Sequence, residues 1–236
     1  MARADGRRSN ELRPLRIHCR YLKSARESVL VEMGNTRVIC VATVDESVPP
    51  FLRGSGQGWI TGEYGMLPRS SPSRIPRESI RGRVKGRTHE IQRLIGRSLR
   101  AAVDLRALGD RTITIDCDVI EADGGTRTAA INGGFVALVE ALRGLGLERT
   151  ALTSFVAAVS VGIVDGRVLC DLNYGEDSTA GVDMNVVMND RGEYIEVQGT
   201  AEGAAFSEED LDRMLKTAGR GIKQIIRVQK KALRWR

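Results

Sequence analysis

A pair of glycines followed by a threonine and an arginine forms the part of the sequence best suited to chemistry. Within residues 120–134, a strand-like segment passes into a helix-like one through Gly124, Gly125, Thr126 and Arg127. Two glycines let backbone N–H groups approach an anion closely, and the start of a helix adds free amides and the positive end of its dipole. An arginine supplies a fork of charged donors. The pattern predicts an anion-binding turn, and phosphate is the anion that suits it best.

Two carboxylates stand on an acidic loop further along the chain. Asp177 and Asp183 are six residues apart, on either side of a bend that leads into a strand. Magnesium prefers a few carboxylates together with phosphate oxygens, so such a pair could hold it. Alternatively, Asp177 caps the bend and Asp183 is a solvated residue at a strand edge. The residues alone slightly favour this second interpretation.

A series of arginines lies in a loop rich in proline and serine that leads into a helix. A charge run usually marks a solvated surface, and that alternative stays open here. A flexible cationic loop also suits a phosphate backbone and carries no code for base identity, which favours single-stranded RNA over DNA. The series consists of Arg69, Arg74, Arg77, Arg81, Arg83 and Arg87.

Composition limits the class of protein. With 236 residues, of which 42% are hydrophobic and 28% charged, the chain can bury a substantial core, and its net charge of +6 favours a polyanionic partner. Neither common glycine loop for nucleotides is present, and two histidines, His18 and His89, give a Ser-His-Asp system little support. Four well-separated cysteines suggest buried thiols rather than zinc or disulfides. We see no secretory signal and no apolar run long enough for a membrane, which predicts a cytoplasmic protein.

Hydrophobic periodicity predicts an α+β chain of two similar halves without a linker between them. Residues 45–83 are predicted to form a long connection, and residues from about Ser207 onward a helix with a good N-cap. The other predicted helices cover 85–108 and 128–145. The predicted strands cover 15–22, 28–33, 36–44, 111–122, 155–164, 168–172, 182–188 and 194–198. Turn residues at 34–35, 165–166 and 190–192 predict three hairpins among these strands.

Several segments together resemble the ribonuclease PH family of phosphate-dependent 3′→5′ exoribonucleases. They are residues 5–7, 12–14, 62–68, 86–100, 182–188 and 195–203, together with the glycine turn. The resemblance implies one domain over 1–236 with the ribonuclease PH fold, in which two βαβα-type halves like domain 2 of ribosomal protein S5 pack together. It also implies a hexameric ring built as a trimer of dimers. The expected activity trims the 3′ ends of tRNA precursors and other RNAs and releases nucleoside 5′-diphosphates in a reversible nucleotidyl transfer.

The same resemblance implies roles for individual residues and reverses the preference stated for the two aspartates. Magnesium is the expected cofactor and orthophosphate the co-substrate. A catalytically silent RNA-binding subunit of an exosome-like ring is the alternative, although such a subunit would usually have lost the turn or the aspartates. Phosphate is assigned to Arg87, Gly125, Thr126 and Arg127, catalysis to Arg127, Asp177 and Asp183, the metal to the same two aspartates, and RNA to Arg69, Arg74 and Arg77.

The sequence departs from the family's usual pattern at a few positions. Asn173 stands where the family usually has an aspartate, which removes one charge from the acidic loop. His89 replaces a usual glutamine two residues after Arg87. The chain ends in a short tail, residues 234–236, to which the resemblance assigns no use.

Overall fold

A computed structural model describes residues 3–78, 82 and 85–235, and these residues form two β-sheets, five α-helices and a short 3-10 helix, Pro50–Leu52. The first sheet has the strand order β1-β2-β3-β5-β4, in which β4 runs parallel to β5 and every other pair is antiparallel. Its strands are β1 (Leu15–Cys19), β2 (Ser28–Met33), β3 (Thr36–Asp45), β4 (Trp59–Met66) and β5 (Thr112–Glu121). Arg81 and Arg83 of the arginine series lie outside the described residues.

The second sheet is fully antiparallel and has the order β7-β6-β8-β9. Both hairpins predicted in this half of the chain are present, and β6 and β8 join them in the middle of the sheet. The strands are β6 (Val156–Val164), β7 (Arg167–Cys170), β8 (Val182–Asn189) and β9 (Tyr194–Ala201). The helices are α1 (Gly86–Arg100), α2 (Leu105–Leu108), α3 (Thr126–Gly144), α4 (Tyr174–Asp177) and α5 (Glu208–Ala232).

Helix α3 is the central element because it packs against both sheets. It contacts β2, β3 and β5 of the first sheet and β6 of the second, and it is buried along most of its length. Gly133 permits this packing, since a Cβ atom there would lie 2.8 Å from the Cys40 sulfur. The Asn132 side chain fixes the register with β6 by donating to Ala158 O and accepting from Ala158 N, at 2.9 and 2.8 Å. The turn before α3 is therefore rigidly placed relative to both sheets.

Two sequence predictions of secondary structure are wrong. The predicted connection over 45–83 contains β4, which joins the sheet parallel to β5. The predicted helix over 85–108 ends at Arg100, and a new helix, α2, begins after Asp104, whose side chain accepts hydrogen bonds from the amides of Arg106 and Ala107. The α+β class and the capped helix after Ser207 are confirmed. Among the described residues, no helix is long and apolar enough to cross a membrane.

Candidate active site

A cleft of about 1220 Å³ opens where the start of α3 meets α4, the beginning of β8 and the loop after β4. Most of the predicted site residues line it, and the remaining two, Arg74 and Arg77, are exposed on the loop outside. The predicted residues in the cleft are Arg69, Arg87, Gly125, Thr126, Arg127, Asp177 and Asp183. The structure therefore brings together side chains that are up to 114 positions apart in the sequence.

The glycine turn aims the start of α3 at the cleft. Gly124 and Gly125 have φ angles of +74° and +64°, a region that glycine enters without steric cost. A Cβ atom on Gly124 would also come within 2.8 Å of backbone atoms of the segment that leads into α4. Gly125 is the N-cap of α3, and no side chain caps the first turn. The amides of the first turn therefore have no side-chain cap, and they and the positive end of the helix dipole are available to an anion.

Arg127 is held in place by a glutamine and a glutamate from other elements. Its Nη1 donates to Gln198 Oε1 on β9 at 3.1 Å and lies 3.6 Å from Glu90 Oε1 on α1. Gln198 Nε2 in turn donates to Glu90 Oε1 at 2.7 Å. Sequence reasoning assigned no role to either partner, although both fall in segments that carry the family resemblance.

Thr126 is oriented by a buried tyrosine that sequence reasoning also missed. Tyr64 on β4 donates its hydroxyl hydrogen to Thr126 Oγ1 at 2.8 Å. Burial raises the pKa of Tyr64, so the phenol keeps its proton. Because Thr126 Oγ1 accepts this bond, its own hydrogen is available to an anion seated on the turn.

Asp183 lies in the interior of the second sheet, so the prediction of a solvated strand-edge residue is wrong. It stands on β8 between Gly162 of β6 and Thr200 of β9. Its Oδ1 is buried and has no hydrogen-bond partner among the described residues. The pKa of Asp183 is raised to about 6, chiefly by burial and also by the negative charge of Asp177, against the opposing effects of Arg127 and Arg87.

Asp177 is the last residue of α4 and does not cap the bend. The cap is Asn173, whose Oδ1 accepts from Glu176 N at 3.0 Å while Asn173 N donates to Glu176 Oε2 at 3.0 Å. Asparagine and aspartate cap helices about equally well, so Asn173 can cap α4 although the family usually has an aspartate at this position. Burial raises the pKa of Asp177, and Arg87 and Arg127 oppose the shift. His89, the other departure, is exposed and lies 3.3 Å from Gln92 Oε1 along α1.

A buried arginine ties the glycine turn to the segment that carries Asp177. The Arg13 side chain donates to both carboxylate oxygens of Asp171, at 2.7 and 3.0 Å, and to Asp123 O at 2.5 Å. Asp171 is fully buried and has a φ angle of +54°. Arg13 therefore links Asp123, the residue before the glycine turn, to Asp171, which follows β7 and precedes α4.

Two further arginines near the N-terminus hold α4 itself. Arg3 donates to both oxygens of Glu176, at 2.6 and 2.5 Å, and to the carbonyls of Cys170 and Asp171. Arg7 donates to Asp171 O at 2.9 Å. Of the two, only Arg7 falls in a segment that carries the family resemblance, and nothing in the local pattern predicts which carboxylates either arginine reaches.

The two aspartates fit a magnesium ion in chemistry and number. Among residues 3–78, 82 and 85–235, no group of three or more histidine, cysteine, aspartate or glutamate side chains is placed to hold a metal. Magnesium needs no such group, since it usually binds through one or two carboxylates plus waters and substrate phosphates. The unpartnered Oδ1 of Asp183 is the kind of hard oxygen ligand that it prefers.

Comparison with known proteins decides the family. Residues 11–143 match domain 1 of the 3′ exoribonuclease family, and residues 154–221 match its domain 2. The chain belongs to the 3′ exoribonuclease family. It is 59% identical over 237 residues to the ribonuclease PH of Moorella thermoacetica, covering 99% of this chain and 95% of that protein. The identity to the ribonuclease PH of Corynebacterium kroppenstedtii is 57% over 235 residues, covering 98% and 92%.

These relatives confirm the predicted family and activity, and the chain is a phosphorolytic 3′→5′ exoribonuclease. Solved structures confirm the fold. An Archaeoglobus fulgidus exosome with RNA bound at its active site has a TM-score of 0.79 at 21% identity, covering 95% of this chain and 91% of that one. Rice Rrp46 has the same TM-score and identity, covering 98% and 100%. The organisation of residues 1–236 as a single domain stays a prediction.

Proposed function

We propose that the cleft is where orthophosphate attacks the last phosphodiester at an RNA 3′ end. The products are a nucleoside 5′-diphosphate and an RNA shorter by one nucleotide. The observation that carries this assignment is the meeting of two kinds of group in one cleft. An anion-binding turn flanked by Arg87 and Arg127 faces two partly buried carboxylates, Asp177 and Asp183.

The main physical obstacle is bringing two anions together. Arg87, Arg127 and the free amides at the start of α3 offset the repulsion and orient the phosphate for attack in line with the leaving oxygen. The contacts of Arg127 with Gln198 and Glu90 hold its guanidinium in place before phosphate arrives, so little reorganisation accompanies binding. Orthophosphate is already an anion at neutral pH and needs no histidine to activate it.

Asp177 and Asp183 would hold magnesium on the side of the leaving group. When bound there, the ion supplies positive charge where negative charge develops on the 3′ oxygen. The two carboxylates would fix the position of the ion. Because Asp183 is largely buried, its negative charge is costly when no ion compensates it.

A 3′-tailed RNA incubated with and without phosphate tests the proposal against the silent-subunit alternative. The proposal predicts nucleoside diphosphates only when phosphate is present, and RNA that shortens one nucleotide at a time. Binding without release would support the silent subunit. Release of nucleoside monophosphates without phosphate would mean hydrolysis and would overturn the proposal.

Arg127→Ala is expected to raise the phosphate concentration needed for half-maximal rate and to slow turnover by ~10², the usual cost of losing one preorganised charged donor. The measurement is the rate of phosphorolysis as a function of phosphate concentration. Arg106→Ala is the matched control, because it removes one exposed cation from α2, away from the cleft lining. An unchanged phosphate dependence in Arg127→Ala would refute the assignment.

Replacing Arg69, Arg74 and Arg77 together by alanine is expected to weaken binding of long RNA and to flatten its salt dependence. Each lost phosphate contact lowers the slope of log K against log salt by about one. Arg69 lines the cleft, whereas Arg74 and Arg77 are exposed beyond it, so the loop is placed to guide the strand inward. A salt slope equal to that of the native protein would show that the loop does not contact RNA.

We also propose tRNA precursors as substrates, a hexameric ring built as a trimer of dimers, and a cytoplasmic location. The ring is supported by the family and by large apolar side chains that stay exposed on the edge strand β9, where Tyr194 and Val197 are 50% and 43% exposed. The net positive charge supports an RNA substrate, and the four free cysteines support a cytoplasmic location, where thiols are kept reduced.

A further inference from the structure

The charge of the protein is concentrated at one end of the chain. Residues 213–236 contain nine lysines and arginines and no acidic residue. The other 212 residues contain 27 basic and 30 acidic side chains, so this segment supplies more than the whole net charge of +6. None of the eight cations of this segment that the structure describes belongs to the cleft.

Four of these cations form a stripe along the solvent side of α5, and we call Arg220, Lys223, Arg227 and Lys231 the α5 stripe. At 3.6 residues per turn, their spacings of three, four and four place them within an arc of about 80° and over a length of about 17 Å. All four are exposed. The opposite side of the helix is buried in the core through Met214, Ala218, Gly221, Ile222, Ile225 and Ile226.

Carboxylates do not neutralise the α5 stripe. In the described part of the chain, none of the four cations lies within 4.0 Å of an acidic oxygen. By contrast, Arg213 and Lys216, about two turns and one turn before Arg220 on the same side, pair with Asp210 at 3.2 Å and Asp212 at 3.9 Å. Like charges three and four residues apart destabilise a helix, so the arrangement costs stability as it stands.

The helix dipole accounts for only part of this pattern. Cations near the C-terminus of a helix are favourable, but the effect fades beyond the last turn. Lys231 is in that turn, whereas Arg220 and Lys223 lie two or more turns before it. A row of unpaired cations over three turns matches instead a partner with regularly spaced negative charges.

From these observations, and resting on the proposed function, we propose that the α5 stripe binds the phosphate backbone of the folded body of the RNA whose 3′ end lies in the cleft. Helix α3 sets the distance between the cleft and the far end of the α5 stripe. It begins at the glycine turn, and Arg143 in its last turn donates to Leu233 O at the end of α5, at 2.7 Å. Nineteen helical residues span about 28 Å, so the far end of the stripe lies well beyond the reach of a few nucleotides in the cleft.

The test compares a tRNA carrying a 3′ tail with a short single-stranded oligonucleotide of the same 3′ sequence. The variant replaces Arg220, Lys223, Arg227 and Lys231 by glutamine in the full-length protein. The proposal predicts that KM for the tailed tRNA rises roughly tenfold and that its salt slope falls by about one per cation. The short oligonucleotide keeps its kcat and KM, and the KM for phosphate stays unchanged.

A matched pair of double variants distinguishes the effect of losing stripe cations from the effect of lowering the net charge. Arg227→Gln with Lys231→Gln should weaken tailed-tRNA binding, whereas Arg53→Gln with Arg106→Gln, which removes two exposed cations elsewhere, should not. Equal effects of the two double variants, or equal losses on both RNAs, would overturn the proposal. So would a change in molecular mass by light scattering, which would assign the stripe to contacts between copies of the chain. If the proposed function itself fails, the native protein will release no nucleoside diphosphate even from the short oligonucleotide.

Discussion

An Asp183→Asn variant is expected to lose phosphorolysis and yet to unfold less readily than the native protein. A neutral amide holds magnesium poorly, so the positive charge that would stabilise the leaving oxygen is lost with the ion. Such a loss costs several kcal/mol of transition-state stabilisation, or more than ~10³ in rate. RNA binding should change little, because it depends on arginines elsewhere. Retained turnover would show that Asp183 is not part of the chemistry.

The gain in stability follows from the raised pKa of Asp183. Chiefly because of burial, this pKa lies at about 6 rather than at the ordinary 3.8 of an aspartate, so above pH 6 the folded protein carries a charge that the unfolded chain solvates better. This cost is absent near pH 4, where the folded state keeps the proton, and it is fully present above pH 6. Without divalent cations, Asp183→Asn should therefore raise the free energy of unfolding by about 3 kcal/mol at pH 8 and by progressively less toward pH 4.

Denaturant unfolding at a series of pH values in a chelator checks this profile. Asp212→Asn is the control, because Asp212 is exposed on α5 and its removal should change the free energy of unfolding by less than about 0.5 kcal/mol. A difference between Asp183→Asn and the native protein that does not depend on pH would contradict the account of a costly buried charge.

Arg13→Met is expected to lower the free energy of unfolding by about 3–5 kcal/mol, since it leaves the buried carboxylate of Asp171 without its main partner. The same change removes the link between Asp123 and Asp171, so the phosphate-binding turn and α4 should lose their fixed spacing. Adding Asp171→Asn should recover part of the stability, because no unpaired charge then remains at that position.

The comparison for Arg13 is the exposed pair of Arg37 with Glu32, at 3.1 Å. Arg37→Met should cost less than about 1 kcal/mol, as exposed ion pairs generally do. Equal losses in Arg13→Met and Arg37→Met, measured by urea unfolding, would show that the buried contact does not hold the site together.

The glycine turn and the arginines could be predicted from the sequence because their signals are local. Glycines, a following helix and a basic side chain stand next to one another, and Gly124 and Gly125 do have the positive φ angles that such a turn requires. The hairpin through Gly34 and the cap at Ser207 were predictable for the same reason.

The rest of the site depends on contacts between distant residues that no local pattern reveals. Strand β4 was missed because its residues include two glycines and alternate weakly, and only pairing with β5 makes them a strand. Asp183 resembled a solvated residue until β6 and β9 were seen on either side of it. Tyr64, Glu90 and Gln198 reach the turn from three other elements, and their roles follow only from the fold.

The location of the attacking phosphate is the central claim, and a crystal structure grown with orthophosphate measures it most directly. The account predicts a tetrahedral anion at the start of α3, within hydrogen-bonding distance of the Arg87 and Arg127 side chains and of a backbone amide in the first turn of the helix. A turn without an anion at phosphate concentrations that saturate the rate, with phosphate bound elsewhere, would contradict it.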